Sequence, residues 1–162
     1  MRRFLAAAGG LALGLLALAS SAFGAVSAIG TPTSLFQSTA GTVHTLTGVS
    51  VPAGTSRALV VVASHAGHID VASVTFNGQP MIKAIERDDG SVAVDSIWSL
   101  ALGNGGAVTG NVVATFANPT ATTPTPIQSF IAAAAFSGVN QSNPISASLA
   151  GNNTSGTNLG ST

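Results

Sequence analysis

His65 and His68, with Asp70 two residues on, bring two imidazoles and a carboxylate close together in the chain. That His-x-x-His-x-Asp spacing could hold a transition metal, for which neutral imidazole nitrogen is the commonest protein ligand. Against it, the chain has no cysteine, and its remaining histidine, His44, stands apart. Solvated loop residues that cap turns are the plainer reading of the three. Asp88-Asp89-Gly90, with Asp95 nearby, offers the hard carboxylate oxygens that calcium takes together with loop carbonyls. The spacing departs from an EF-hand loop and lacks its closing glutamate, so a hydrated hairpin turn explains the run equally well. Calcium is the one cofactor the sequence suggests, and it does so weakly.

Catalytic constellations are sparse. Glu86 with Asp88, Asp89 or Asp95 supplies the residue types of a glycosidase acid pair, which needs two carboxyl groups on opposite sides of the scissile bond. Nothing in the sequence sets them across a cleft. No serine lies in Gly-x-Ser-x-Gly, and no Ser, His and Asp set is marked out, so the reading is of a protein that is not an enzyme. Trp98 could stack on a sugar, but Leu100 and Leu102 share its side of an extended segment, which places it in a core. With no tyrosine and one tryptophan, the chain is poor in the aromatic surface that binding sites favour.

The elements that must position these residues read as strands. Residues 57–64 contain six consecutive apolar side chains, 58–63, introduced by Pro52-Ala53-Gly54. The run is too short for a bundle helix and rich in valine, which fits a pleated surface, so it is expected to be a strand buried on both faces. Residues 43–51 form a second strand, in which Gly48 marks a bulge. In 71–76, Ala72, Val74 and Phe76 alternate with Ser73 and Thr75. Asn77-Gly78 then supplies the two positive-φ positions of a type I′ hairpin turn, with 79–86 as the returning strand. Arg87-Asp88-Asp89-Gly90 reads as a polar turn, 92–102 and 108–116 as strands, and 118–126 as a proline-rich loop. The segment 130–136, Phe-Ile-Ala-Ala-Ala-Ala-Phe, lies too tightly between Pro126 and Gly138 for a capped helix and reads as a buried strand.

The ends differ in character from the middle. Arg2 and Arg3, the apolar run 4–19 and Ala22-Phe23-Gly24 before Ala25 have the form of a signal peptide cleaved near Gly24. The run is short of the roughly 20 residues a retained spanning helix needs. The expected layout is a signal peptide at 1–24, a lead-in at 25–42 with one edge strand, a β domain at 43–148, and a Gly, Asn, Ser and Thr tail or linker at 149–162. Beyond residue 24, three cations (Arg57, Lys83, Arg87) face five anions (Asp70, Glu86, Asp88, Asp89, Asp95), a net charge of −2. No basic patch exists for nucleic acid. Many short strands with frequent turns and almost no helix signal give an all-β fold, an antiparallel two-sheet β-sandwich with jelly-roll or immunoglobulin-like connectivity.

Several phrases resemble a known family. Pro52-Ala53-Gly54-Thr55-Ser56-Arg57 before Leu59-Val60-Val61-Val62, then Val74-Thr75-Phe76-Asn77-Gly78-Gln79-Pro80-Met81, Ile97-Trp98-Ser99-Leu100, and Phe136-Ser137-Gly138-Val139-Asn140-Gln141 resemble successive strands of a β-sandwich module found in bacterial secreted and cell-surface proteins. The resemblance spans roughly residues 47–148 and brings across architecture only, with no catalytic residues. In that family further strands follow the Ser-Gly-Val phrase, whereas this chain turns polar there, so the resemblance implies a module shortened at its C-terminal end. The expected function is a non-catalytic, secreted or surface-displayed structural or adhesive module of a bacterial envelope protein. Its partner would be an extracellular glycan or protein, and it would meet the membrane only during export. A carbohydrate-binding module is the alternative, and a small secreted hydrolase the third reading.

Overall fold

The computed structural model of the chain describes residues 25–38, 41–66, 69–88, 93–117 and 128–145. The expected signal peptide, the proline-rich loop and the polar tail lie outside them, as do His68 and Asp89. The described residues form nine strands in chain order: β1 (Ser27–Gln37), β2 (Val43–Val51), β3 (Gly54–Ala66), β4 (Val71–Phe76), β5 (Gln79–Pro80), β6 (Ile82–Asp88), β7 (Ala93–Gly105), β8 (Val108–Phe116) and β9 (Ser129–Ser137). They make two antiparallel sheets, one of five strands in the order β1-β9-β3-β7-β6 and one of four in the order β2-β8-β4-β5. The protein is all-β, and the two sheets enclose one apolar core.

β3 lies at the centre of the larger sheet, between β9 and β7. Alternation of side chains turns Leu59, Val61, Ala63 and His65 inward, each at most 1 % exposed. Each large aliphatic side chain removed from water in this way contributes about 1.5–3 kcal/mol. Val60, Val62 and Ser64 point outward and are only half-buried, which corrects the expectation of a strand covered on both faces. The reason is architectural: a two-layer sandwich covers one face of each sheet, whatever the valine content of the other.

Local chemistry sets several boundaries. Gly48 has φ +71°, and the pairing of β2 with β8 shifts register between Leu46 and Val49, so a bulge does sit there. Asn77 and Gly78 both have positive φ, 49° and 77°, as a type I′ turn requires. The strand after that turn is not the single run expected. Only Gln79 and Pro80 pair with β4; Met81 is buried with its N–H on the Val74 carbonyl at 2.9 Å, and Ile82 onward joins the other sheet beside β7. Met81 anchors this change of layer because its side chain enters the core between the two sheets. Arg87 and Asp88, expected in a turn, continue β6, opposite Asp95 and Val94. The lead-in supplies β1, an edge strand along β9, and the alanine-rich segment forms β9 with Ile131, Ala133 and Ala135 inward.

Candidate functional site

The chemistry-bearing side chains gather at one end of the sandwich, where β3 and β8 finish and β2, β4 and β9 begin. His44 is the second residue of β2 and shares the inward face with Leu46, two residues on. His65 occupies the corresponding inward position near the end of β3, directly opposite Ser129 of β9. Phe116, closing β8, fills the space between the rings: its centroid is 5.4 Å from that of His44, edge-on, and 4.7 Å from that of His65. The loop backbones are tied to the same end by Phe116 N–H to the Thr42 carbonyl at 2.7 Å and Ala66 N–H to the Gln128 carbonyl at 2.8 Å.

Within this cluster His44 Nδ1 is hydrogen-bonded to the Ser129 hydroxyl, and His65 Nδ1–H donates to the Ala66 carbonyl. His44 Nε2 is buried and has no hydrogen-bond partner among the described residues; it faces the backbone at Gly41, where an added Cβ would stand 3.0 Å from it. Burial lowers the pKa of His44. For His65 burial is also the largest effect and lowers the pKa; its bond to the Ala66 carbonyl raises it, and the charge of His44 lowers it again. Both rings are therefore held neutral at pH 7. As chemistry, the Ser–His contact lacks the parts of a nucleophilic pair. Neither nitrogen of His44 is bonded to a carboxylate, and Ser129, 2 % exposed, is closed off from a substrate carbonyl. What the arrangement does is join the two sheets by a polar bond inside the core.

The sequence candidates disperse around this end. His65, expected in a solvated loop, is a core residue of β3, while Asp70 lies exposed before β4 and His68 falls outside the described residues. Asp95 shares the outer face of the five-stranded sheet with Arg87, its partner in register. Glu86 and Asp88 alternate to the other face, and Glu86 is ion-paired with Lys83. Asp95 is therefore on the opposite face of the sheet from Glu86 and Asp88 and cannot flank a glycosidic bond with either, while Glu86 and Asp88 share a face and Asp89 lies outside the described residues. Among the described residues no group of three or more histidine, aspartate or glutamate side chains is placed to hold a metal.

Trp98 is 5 % exposed, as expected for a core residue. Its indole N–H donates to Ser96 at 2.8 Å, and the Ser96 hydroxyl donates to the Ala63 carbonyl at 3.0 Å. The Lys83 ammonium stands 5.1 Å over the ring.

At the other end of the sandwich Arg57 is buried without a carboxylate. Its Nε donates to Gly103, Nη1 to Pro52 and Gly106, and Nη2 to Leu102, at 2.6–3.4 Å, all main-chain carbonyls. A cleft of about 330 Å³ opens beside it, lined also by Phe76, Asn77, Gln79 and Leu102. Because four of the five guanidinium donors already serve the backbone, Arg57 has little left to offer an anion there.

Sequence reasoning missed His44, Ser129 and the partners of Arg57. The period-2 positions of His44 with Leu46, and of Ser129 with Ile131, were the available signal for an inward polar pair. Comparison of the chain with protein-family models, with characterised proteins and with solved structures finds no match.

Proposed function

We propose that the chain is a non-catalytic structural or adhesive β-sandwich module, exported by its N-terminal segment and displayed on or released from a bacterial envelope. The observation that carries this reading is the use of the buried polar groups. Arg57 clamps the carbonyls of Pro52 and Gly106 in two turns and of Leu102 and Gly103 at the end of β7, and His44 with Ser129 bonds one sheet to the other. Groups committed in this way hold a scaffold in one shape and are not presented to a substrate. The composition agrees: few charges, a surface of Ser, Thr, Asn and Gly, and no cysteine. The phrases around Asn77-Gly78, Ile97-Trp98 and Ser137-Gly138-Val139 support placement with the secreted β-sandwich modules they resemble.

Jelly-roll connectivity is the finer reading of the fold. Its support is the nested pairing of β1 with β9, β2 with β8, β3 with β7 and β4 with β5, the order produced when one long hairpin is wound into two layers.

Fractionation of cells expressing the whole chain tests export: processed protein in the periplasm, envelope or medium is expected, and unprocessed protein confined to the cytoplasm refutes it. A glycan array on the folded protein tests the carbohydrate-binding alternative, for which the scaffold reading expects no signal above background.

A further inference from the structure

The outer face of the five-stranded sheet carries an apolar strip from β9 to β6, flanked by Ser34, Ser64 and Ser99. Register places Val62 of β3 beside Ala132 of β9 on one side and Ile97 of β7 on the other, and Ile97 beside Ile85 of β6. One step along the strands, Val60 of β3 stands between Ala134 and Ser99 and lines a hollow shared with Val139, Asn140 and Pro144 of the segment after β9. At the rim, Phe36 of β1 lies directly opposite Phe130 of β9; they are 60 % and 38 % exposed, and Ile82 at the far edge is 70 % exposed. The charged residues that register places on this face are Asp95 and Arg87, opposite one another, so two such faces can approach without net repulsion.

We infer that this face pairs with the same face of a second copy, giving a symmetric dimer of four stacked sheets. Its area suits that occupant. Five strands about 4.8 Å apart, each with roughly nine residues rising about 3.3 Å, cover roughly 700 Å². A stable interface takes about 800 Å² from each partner. The centre carries small or branched side chains, Ala132, Val62 and Ile97, which let two such sheets reach the roughly 10 Å separation of packed layers. Exposed apolar surface this continuous is uncommon on a monomer. The pairing stands apart from the proposed role: it concerns what covers the sheet, wherever the protein resides.

Sedimentation equilibrium of the whole chain, as recovered from cells, tests it. A dimer is expected. Val62→Lys and, separately, Ile85→Lys should each weaken it at least tenfold with the β-sheet circular dichroism unchanged. Thr109→Lys, on an exposed position of the other sheet, should leave it intact. If Val62→Lys fails to fold, the edge substitution Ile85→Lys still decides the matter. A chain that stays monomeric up to about 100 µM, well above the dissociation constant of an ordinary dimer, overturns the inference. So does a dimer that both lysine variants leave unchanged; cover from another segment of the chain or from a different partner would appear as the monomer.

Discussion

His44 and Ser129 are 85 residues apart, one on each sheet, and a hydrogen bond between His44 Nδ1 and the Ser129 hydroxyl joins the two layers within the core. The bond lies against Phe116 and beside His65, so this end of the sandwich depends on two neutral imidazoles. Isolated polar groups in such a setting cost stability unless paired.

Acid should therefore loosen the molecule. The pKa values of His44 and His65 are lowered from 6.5 by burial, so below that value the unfolded chain binds protons that the folded chain refuses. The histidine contribution is fully present above about pH 6.5 and is lost as pH falls from there toward the lowered folded values, by at most about 1.4 kcal/mol per pH unit for each ring. Urea midpoints measured at pH 7.5 and 5.5 should differ in that direction. Replacing both rings, as in His44→Gln with His65→Gln, should flatten the difference between pH 6.5 and 5.5.

Removing one partner of the inter-sheet bond should cost more than removing both. Ser129→Ala leaves both nitrogens of His44 without a partner and is expected to destabilise by about 1–3 kcal/mol. Adding His44→Phe replaces the ring by an apolar one beside Phe116, and the double variant should recover part of that loss. A double-mutant cycle by chemical denaturation measures the coupling; a value near zero would show that the bond does not hold the layers.

Arg57 serves four carbonyls, two in turns and two at the end of β7, and no smaller side chain can replace it. Arg57→Met should leave the carbonyls of Pro52, Leu102, Gly103 and Gly106 without their donors, a loss of about 3 kcal/mol or more. Arg57→Lys should restore little, since a single ammonium cannot reproduce the planar fork. Thermal unfolding followed by circular dichroism ranks the three proteins.

Gly110 carries the close approach of the Asn77-Gly78 turn to β8. A Cβ at Gly110 would overlap the Asn77 carboxamide, whose oxygen accepts the Asn111 N–H at 3.2 Å. Gly110→Ala should force that side chain away and cost about 1–3 kcal/mol. Asn77→Gly keeps the positive φ and removes the obstruction, so Gly110→Ala should cost distinctly less in that background. Equal losses in both backgrounds would place the role of Gly110 elsewhere.

Much of this was legible in the chain because it is local. Alternation assigned Trp98 to the core side of its strand, Asn77-Gly78 specified its own turn, and Gly48 announced its bulge; each depends only on residues within a few positions. The fate of His65 was not legible. Its neighbours His68 and Asp70 pointed to a solvated loop, while the side chains that surround it, Phe116 and Ser129, belong to strands that reach β3 only after the sheets form.

The amino-acid order alone thus determined that the chain forms extended strands, where most of them turn, and, as at Trp98, which side of an alternating strand faces the core, since pleat and turn chemistry act over two to four residues. The tertiary structure decided which strands are neighbours, the change of layer at Met81, the clamp around Arg57, and the meeting of His44 with Ser129. These follow from pairings between distant segments, whose free energy resides in contacts that no short stretch of sequence contains.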